Sequence, residues 1–69
     1  MHKGPLSLAP VGARVRFVRT TRTVDDSHEF AAGEEATKMC TMKTFTSVRC
    51  PSLADDQRLP SEATVEWEA

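Results

Sequence analysis

A seven-residue stretch near the N-terminus, Ala13–Arg19 (ARVRFVR), constrains the fold of this chain more than any other. One face of it is apolar and the other basic, with Val11, Ala13, Val15 and Phe17 alternating against Arg14 and Arg16. A period of two predicts a β-strand with one buried face. Val18 breaks the alternation, which indicates burial on both sides or a bulge. We predict a strand over 11–18 that could continue to Val24 through residues that favour strands.

The C-terminus carries the cleanest alternation in the chain. Ala63, Val65 and Trp67 alternate with Thr64, Glu66 and Glu68. This pattern predicts a final strand in which Trp67 is mostly buried. Between the two strands, Phe30 is expected to be a buried plug, and Gly33 to supply a positive φ in a tight turn.

Residues 34–50 allow more than one interpretation. A short helix over 34–43 would place Met39 and Met42 on one face and the two glutamates in its first turn. The many threonines favour strands instead, because branching at Cβ restricts side-chain rotamers in a helix. We therefore favour two strands, about 36–42 and 44–50, with one long bent strand as the alternative.

The remaining segments are rich in proline and polar residues. Residues 1–10 are expected to form an extended N-terminal arm, with Leu6 and Leu8 packed against the core. Residues 51–60 are expected to form a loop with one helical turn, capped by Ser52 and ended by Pro60. The Asp25-Asp26-Ser27 sequence suits a turn held by bonds from side chain to backbone.

These elements predict an all-β or β-rich α+β fold. A chain of 69 residues is one domain at most, and we assign it to residues 11–69. The expected architecture is a small, partly open barrel of about 4–5 strands with one short helical turn. Thirteen leucine, valine and phenylalanine residues make a small core, so a partner or an oligomer would add needed stability.

The order of these elements resembles a small SH3-like β-barrel of the KOW or related type. The resemblance rests on the opening strand at 11–18, the turn at 30–34 and the helical turn near Leu53–Leu59 before a short last strand. It implies an SH3-like barrel, and it departs from the KOW pattern after Gly33, where Lys38 replaces an expected strand valine. The chain also resembles the small accessory proteins of bacteriophages.

Charge is segregated along the chain. The first part carries bases and no acid, and it is followed by a block of acids without a base. The candidate binding residues are the charged members of both blocks: Arg14, Arg16, Arg19, Arg22, Asp25, Asp26, Glu34 and Glu35. The arginines could form a stripe for phosphates, and the acids could occupy a basic groove on a protein. Alternatively, the two blocks pair with each other across strands.

The sequence offers little for catalysis or metal binding. Cys40 and Cys50 lack metal-ligand spacing with each other or with His2 and His28. No phosphate-binding glycine loop is present, so we expect no enzyme activity, no cofactor and no metal. A Cys40–Cys50 disulfide is possible in an oxidising setting, but free thiols in the cytoplasm are the default. We also expect no membrane segment.

The first hypothesis is a non-enzymatic protein-interaction module that acts as an inhibitor, adaptor or assembly subunit. The pI near 6 is low for a nucleic-acid binder, so a nucleic-acid-binding barrel that uses the arginine strand is the alternative. A structural component of a larger particle is the third hypothesis, and a homo-oligomer is compatible with it.

Overall fold

The structure is a computed structural model that describes residues 1–68. Within them the chain forms eight strands, in this order: β1 (His2–Pro5), β2 (Arg14–Phe17), β3 (Thr21–Arg22), β4 (Glu29–Phe30), β5 (Glu35–Thr41), β6 (Thr46–Arg49), β7 (Gln57–Leu59) and β8 (Thr64–Trp67). A 3₁₀ turn at Leu6–Leu8 follows β1. The expected all-β class with a short helical turn is confirmed.

Six of these strands form one antiparallel sheet in the order β1-β8-β2-β5-β6-β7. The sheet is not closed into a barrel. Strands β3 and β4 form a separate hairpin. This hairpin contacts the edge of the sheet, where the Val24 N–H donates to the Arg58 carbonyl of β7 at 2.8 Å.

The core lies on one face of the sheet, beneath the hairpin. Its fully buried apolar side chains are Leu6, in the 3₁₀ turn, and residues of the strands: Val15, Phe17, Phe30, Val48, Leu59 and Val65. The sequence predicted this inward alternation for β2 and β8. Phe30 is the expected plug, because its ring stacks on Phe17 with centroids 4.8 Å apart. Trp67 is 8% exposed, as predicted, and the His2 ring stacks over it.

The opening strand is shorter than the expected 11–18 and does not continue to Val24. Gly12 has a φ of +88° and turns the chain before the strand begins, so Val11 lies outside the strand and is exposed. After Phe17 the chain bends, and β3 begins as a separate strand at Thr21. The break at Val18 is therefore a change of direction, neither a bulge nor two-sided burial.

The helical turn is not where the sequence predicted it. Residues 51–55 form turns and bends, and Gln57–Leu59 is a strand that pairs with β6. Leu59 is buried and pairs with Thr46 in the ladder. This pairing favours a strand over a helix at 57–59, because a single helical turn is costly to nucleate.

For residues 34–50 the preferred two strands are confirmed, at 35–41 and 46–49, and the helix is wrong. Within the first ten residues, His2–Pro5 forms strand β1, which pairs with β8 along its whole length. Leu6 is buried as expected, whereas Leu8 is not.

Candidate functional site

The arginines of β2 are paired with acids from the neighbouring strands. Arg14 Nε donates to Glu35 Oε1 at 2.8 Å, and Arg16 Nη2 donates to Glu66 Oε1 at 2.8 Å. The hydrogen bond and charge of Glu66 raise the pKa of Arg16 above its usual value. The basic and acidic blocks therefore pair across strands at Arg14 and Glu35, as one of the sequence interpretations held, whereas Arg16 pairs with a glutamate of the C-terminal strand.

The register of the sheet explains this pairing. Arg16 stands opposite Glu35 on β5 and Glu66 on β8, and Glu66 stands opposite Lys3 on β1. Charges of alternating sign thus run across four strands on the face that points away from the core. Opposite charges in cross-strand positions stabilise a sheet. They also leave little net positive potential on this face for a polyanion.

Asp25 and Asp26 belong to the turn of the β3–β4 hairpin. Asp25 Oδ1 accepts from the Ser27 hydroxyl at 2.7 Å, the Thr23 hydroxyl at 2.8 Å and the Ser27 N–H at 3.1 Å. The Ser27 hydroxyl, followed by that of Thr23, lowers the pKa of Asp25 to about 2. Asp26 has a φ of +59° and provides the left-handed residue of the turn. The turn predicted from Asp25-Asp26-Ser27 is present.

Glu34 holds the next turn in the chain. Its Oε1 accepts from the Ala31 N–H at 2.7 Å, and Gly33 has the expected positive φ of +92°. The Gly33 N–H donates to the Phe17 carbonyl at 2.7 Å, which fixes the start of β5 against β2. Glu34 is thus a turn residue that remains exposed.

Arg19 and Arg22 differ from the other two arginines, because neither forms an ion pair with any described residue. Both line a groove of about 660 Å³ between the hairpin and the turn before β8. We call this groove the β3 notch and define it by two walls, residues 19–24 and 60–64, with Asp26 and with Thr44 of the β5–β6 turn beside them. The structure does not bring the eight candidate residues together into one site.

Lys38 departs from the strand pattern expected from the sequence, and the structure buries it. Only 3% of it is exposed. Its Nζ donates to the Ser7 carbonyl at 2.8 Å and to the Ala9 carbonyl. Burial lowers the pKa of this ammonium group. The signal for it in the sequence was a lysine at a position where the KOW pattern has a strand valine.

These contacts fix the segment from Leu6 to Gly12, which we call the arm loop. Its other end is held by the Gly12 N–H, which donates to the Lys38 carbonyl at 2.8 Å. In this conformation Leu8 is 69% exposed and Val11 is 70% exposed. Two large aliphatic side chains therefore project into solvent from a loop that is anchored at both ends.

The cysteines do not form a site. Along the β5–β6 register, Cys50 comes level with residue 36, four positions from Cys40. That offset is roughly 13 Å at the rise of a strand, beyond the ~7 Å limit for a disulfide. Both are free thiols, so the possible Cys40–Cys50 disulfide is excluded in this fold.

Residues 1–68 hold neither a metal-binding cluster nor a helix that could span a membrane. No group of three or more histidine, cysteine or acidic side chains is arranged to hold a metal ion. No helix in this part of the chain is long and apolar enough to cross a membrane.

Comparison with known proteins finds no matching family model, no matching curated protein and no matching solved structure.

Proposed function

We propose that this protein is a non-enzymatic protein-interaction module whose docking surface is the arm loop. The single observation that supports this is the buried ammonium of Lys38 beneath two exposed aliphatic side chains, Leu8 and Val11. Removing an ammonium from water costs several kcal/mol, as an order of magnitude, before its hydrogen bonds are counted. If position 38 only filled the core, an aliphatic residue would do so without that cost.

The hydrogen bonds of Lys38 have a second effect, which favours binding. They order the arm loop before any partner arrives, so less conformational entropy is lost on association. Leu8 and Val11 are then presented in one arrangement, as a rigid apolar anchor for a partner pocket. Such a surface suits an inhibitor, an adaptor or an assembly subunit, and a small accessory protein of a bacteriophage is one form of this proposal.

The nucleic-acid alternative has less support. It requires the arginines of β2 as a phosphate stripe, and Arg14 and Arg16 are each bonded to a glutamate. Only Arg19 and Arg22 of the four candidate arginines keep unpaired guanidinium groups within the described residues. A structural component of a particle, or a homo-oligomer, would use the same apolar surface against other subunits.

We also propose, from strand order alone, a relationship to SH3-like barrels, although the sheet of this chain is not closed. Strand β8 returns to pair with β2, and β2, β5, β6 and β7 follow each other as an antiparallel meander. The two distant thiols suit a reducing compartment, and we propose a cytoplasmic location on that basis.

Affinity capture from host lysate tests the function. The tagged protein is compared with a Leu8→Ser/Val11→Ser variant and with Met42→Ser, which changes an exposed apolar residue on the β5–β6 turn. We expect the wild type and Met42→Ser to retain one protein through nuclease treatment and raised salt. The double variant should lose it. Retention by the double variant, or loss on nuclease treatment, would contradict the proposal.

A further inference from the structure

The β3 notch is a place where pairing between two segments of the chain is interrupted. At one end the Val18 N–H donates to the Thr64 carbonyl at 3.4 Å, and at the other the Val24 N–H donates to the Arg58 carbonyl at 2.8 Å. Between these two bonds no backbone hydrogen bond joins the walls among the described residues. Pro60, on the opposite wall, has no N–H with which to extend the contact.

The main chain of Arg22 faces this gap. In the β3–β4 hairpin the Thr23 N–H donates to the His28 carbonyl, so Thr23 and His28 form a hydrogen-bonded pair. Hydrogen-bonded and non-bonded pairs alternate along an antiparallel ladder. The next pair, Arg22 and Glu29, is therefore of the non-bonded kind. The N–H and C=O of Arg22 point away from β4, on the same side as the Val24 N–H.

The outer edges of the six-stranded sheet, β1 and β7, are less open to a partner. On β1 the Leu6 N–H donates toward β8, so the alternation turns Lys3 and Pro5 outward. Proline lacks the N–H, and a lysine on an edge discourages further pairing. On β7 the Arg58 carbonyl is already occupied by Val24. Arg22 thus presents an unpaired strand edge on the wall of an open groove.

The lining of the notch carries no net charge. Arg19 and Arg22 on its walls are balanced by Asp26 and Glu62, and most of its other side chains are threonines. A polyanion gains little from such a surface, since its binding depends on excess positive charge. A neutral polypeptide requires no excess charge, and the volume of about 660 Å³ is in the range of ligand sites.

We propose that the β3 notch accepts a neutral, extended segment of a partner polypeptide, which pairs its main chain with Arg22. This inference rests on the proposed function as a protein-interaction module, but it assigns a second surface, separate from the arm loop. Main-chain hydrogen bonds to Arg22 give the affinity, and alternate side chains of the segment contact the threonines of the notch.

Nuclear magnetic resonance with a defined probe tests the proposal. The probe is a short capped peptide in which serine and valine alternate, compared with the same peptide N-methylated at its central amide. We expect the first peptide to slow exchange of the Arg22 amide at least about tenfold at saturation, as a newly formed hydrogen bond does. The N-methylated peptide should leave that exchange unchanged, and binding should depend little on salt.

Two variants place the binding in the notch. Glu62→Trp fills it from an exposed position on its wall, and Glu68→Trp makes the same change at an exposed position outside it. The first should abolish peptide binding and the second should preserve it. Equal binding of the N-methylated peptide, or no protection of Arg22, would overturn the proposal. Peptide-induced chemical-shift changes confined to the arm loop would overturn the β3 notch as the binding site, while leaving the proposed function intact.

Discussion

Lys38 and Ser7 are joined across the interior by a hydrogen bond of 2.8 Å from the ammonium group to the carbonyl. This bond connects the central strand β5 with the segment that follows β1. It links a buried charge to the conformation of the arm loop. The proposed function as a protein-interaction module depends on this bond.

Replacement of Lys38 by methionine should loosen the arm loop more than it destabilises the protein. The variant loses two hydrogen bonds but is relieved of a buried charge, so we expect the free energy of unfolding to change by less than about 2 kcal/mol. Backbone order parameters of Leu8 and Val11 should fall below roughly 0.6. Relaxation measurements on both proteins test this, and an arm loop that stays rigid would show that Lys38 does not hold it.

The carboxylate of Asp25 should make stability depend on pH in the acid range. Its pKa is about 2 in the folded chain against a usual 3.8, so the unfolded state binds the proton more tightly. The stabilisation is fully present above pH 3.8 and is lost as the pH falls through about 2. Melting temperatures of the wild type and Asp25→Asn should converge across this window. A constant difference between them would contradict the assignment.

Release of the β2 arginines should create affinity for nucleic acid that the wild type lacks. In a Glu35→Gln/Glu66→Gln variant, Arg14 and Arg16 lose their carboxylate partners, and the net charge becomes more positive by two. We expect this variant to bind single-stranded DNA at low salt and to release it steeply as salt rises. Gel-shift titrations check this. Tight binding by the wild type that Arg14→Ala/Arg16→Ala removes would favour the nucleic-acid alternative.

Removal of the Phe30 ring, by Phe30→Ala, should leave a large fraction of the protein molecules unfolded. The ring is fully buried and stacks on Phe17, and a phenylalanine-to-alanine change in a core costs about 3–5 kcal/mol. A domain of this size has little stability beyond that. Phe45→Ala is the control, because Phe45 is half-buried and contacts the Arg58 guanidinium. Circular dichroism melts should show a large loss for the first variant and a small one for the second.

Sequence periodicity predicted the parts of the fold that depend on burial. Val15 and Phe17 alternate with arginines, and Val65 and Trp67 alternate with polar residues. These alternations predicted β2 and β8 and their inward faces. Gly33 and Asp25 predicted turns, because each has a conformational or hydrogen-bonding property that suits one. These are local properties, which a sequence records directly.

Features that depend on distant partners could not be predicted in this way. The register that places Arg16 between Glu35 and Glu66 is set by the whole sheet. The helical turn expected before Pro60 was wrong, because pairing with β6 made Gln57–Leu59 a strand. Lys38 was noticed as a departure from a strand pattern, but its partners lie about thirty residues away in the arm loop.

The most direct test of the central claim places a photoreactive benzophenone amino acid at position 8, in the arm loop, and at position 42 as a control. Irradiation in host lysate, followed by mass spectrometry, identifies what each position touches. We predict a covalent adduct with one protein from position 8 and none with that protein from position 42. Cross-linking to nucleic acid, or equal cross-linking from both positions, would contradict the account.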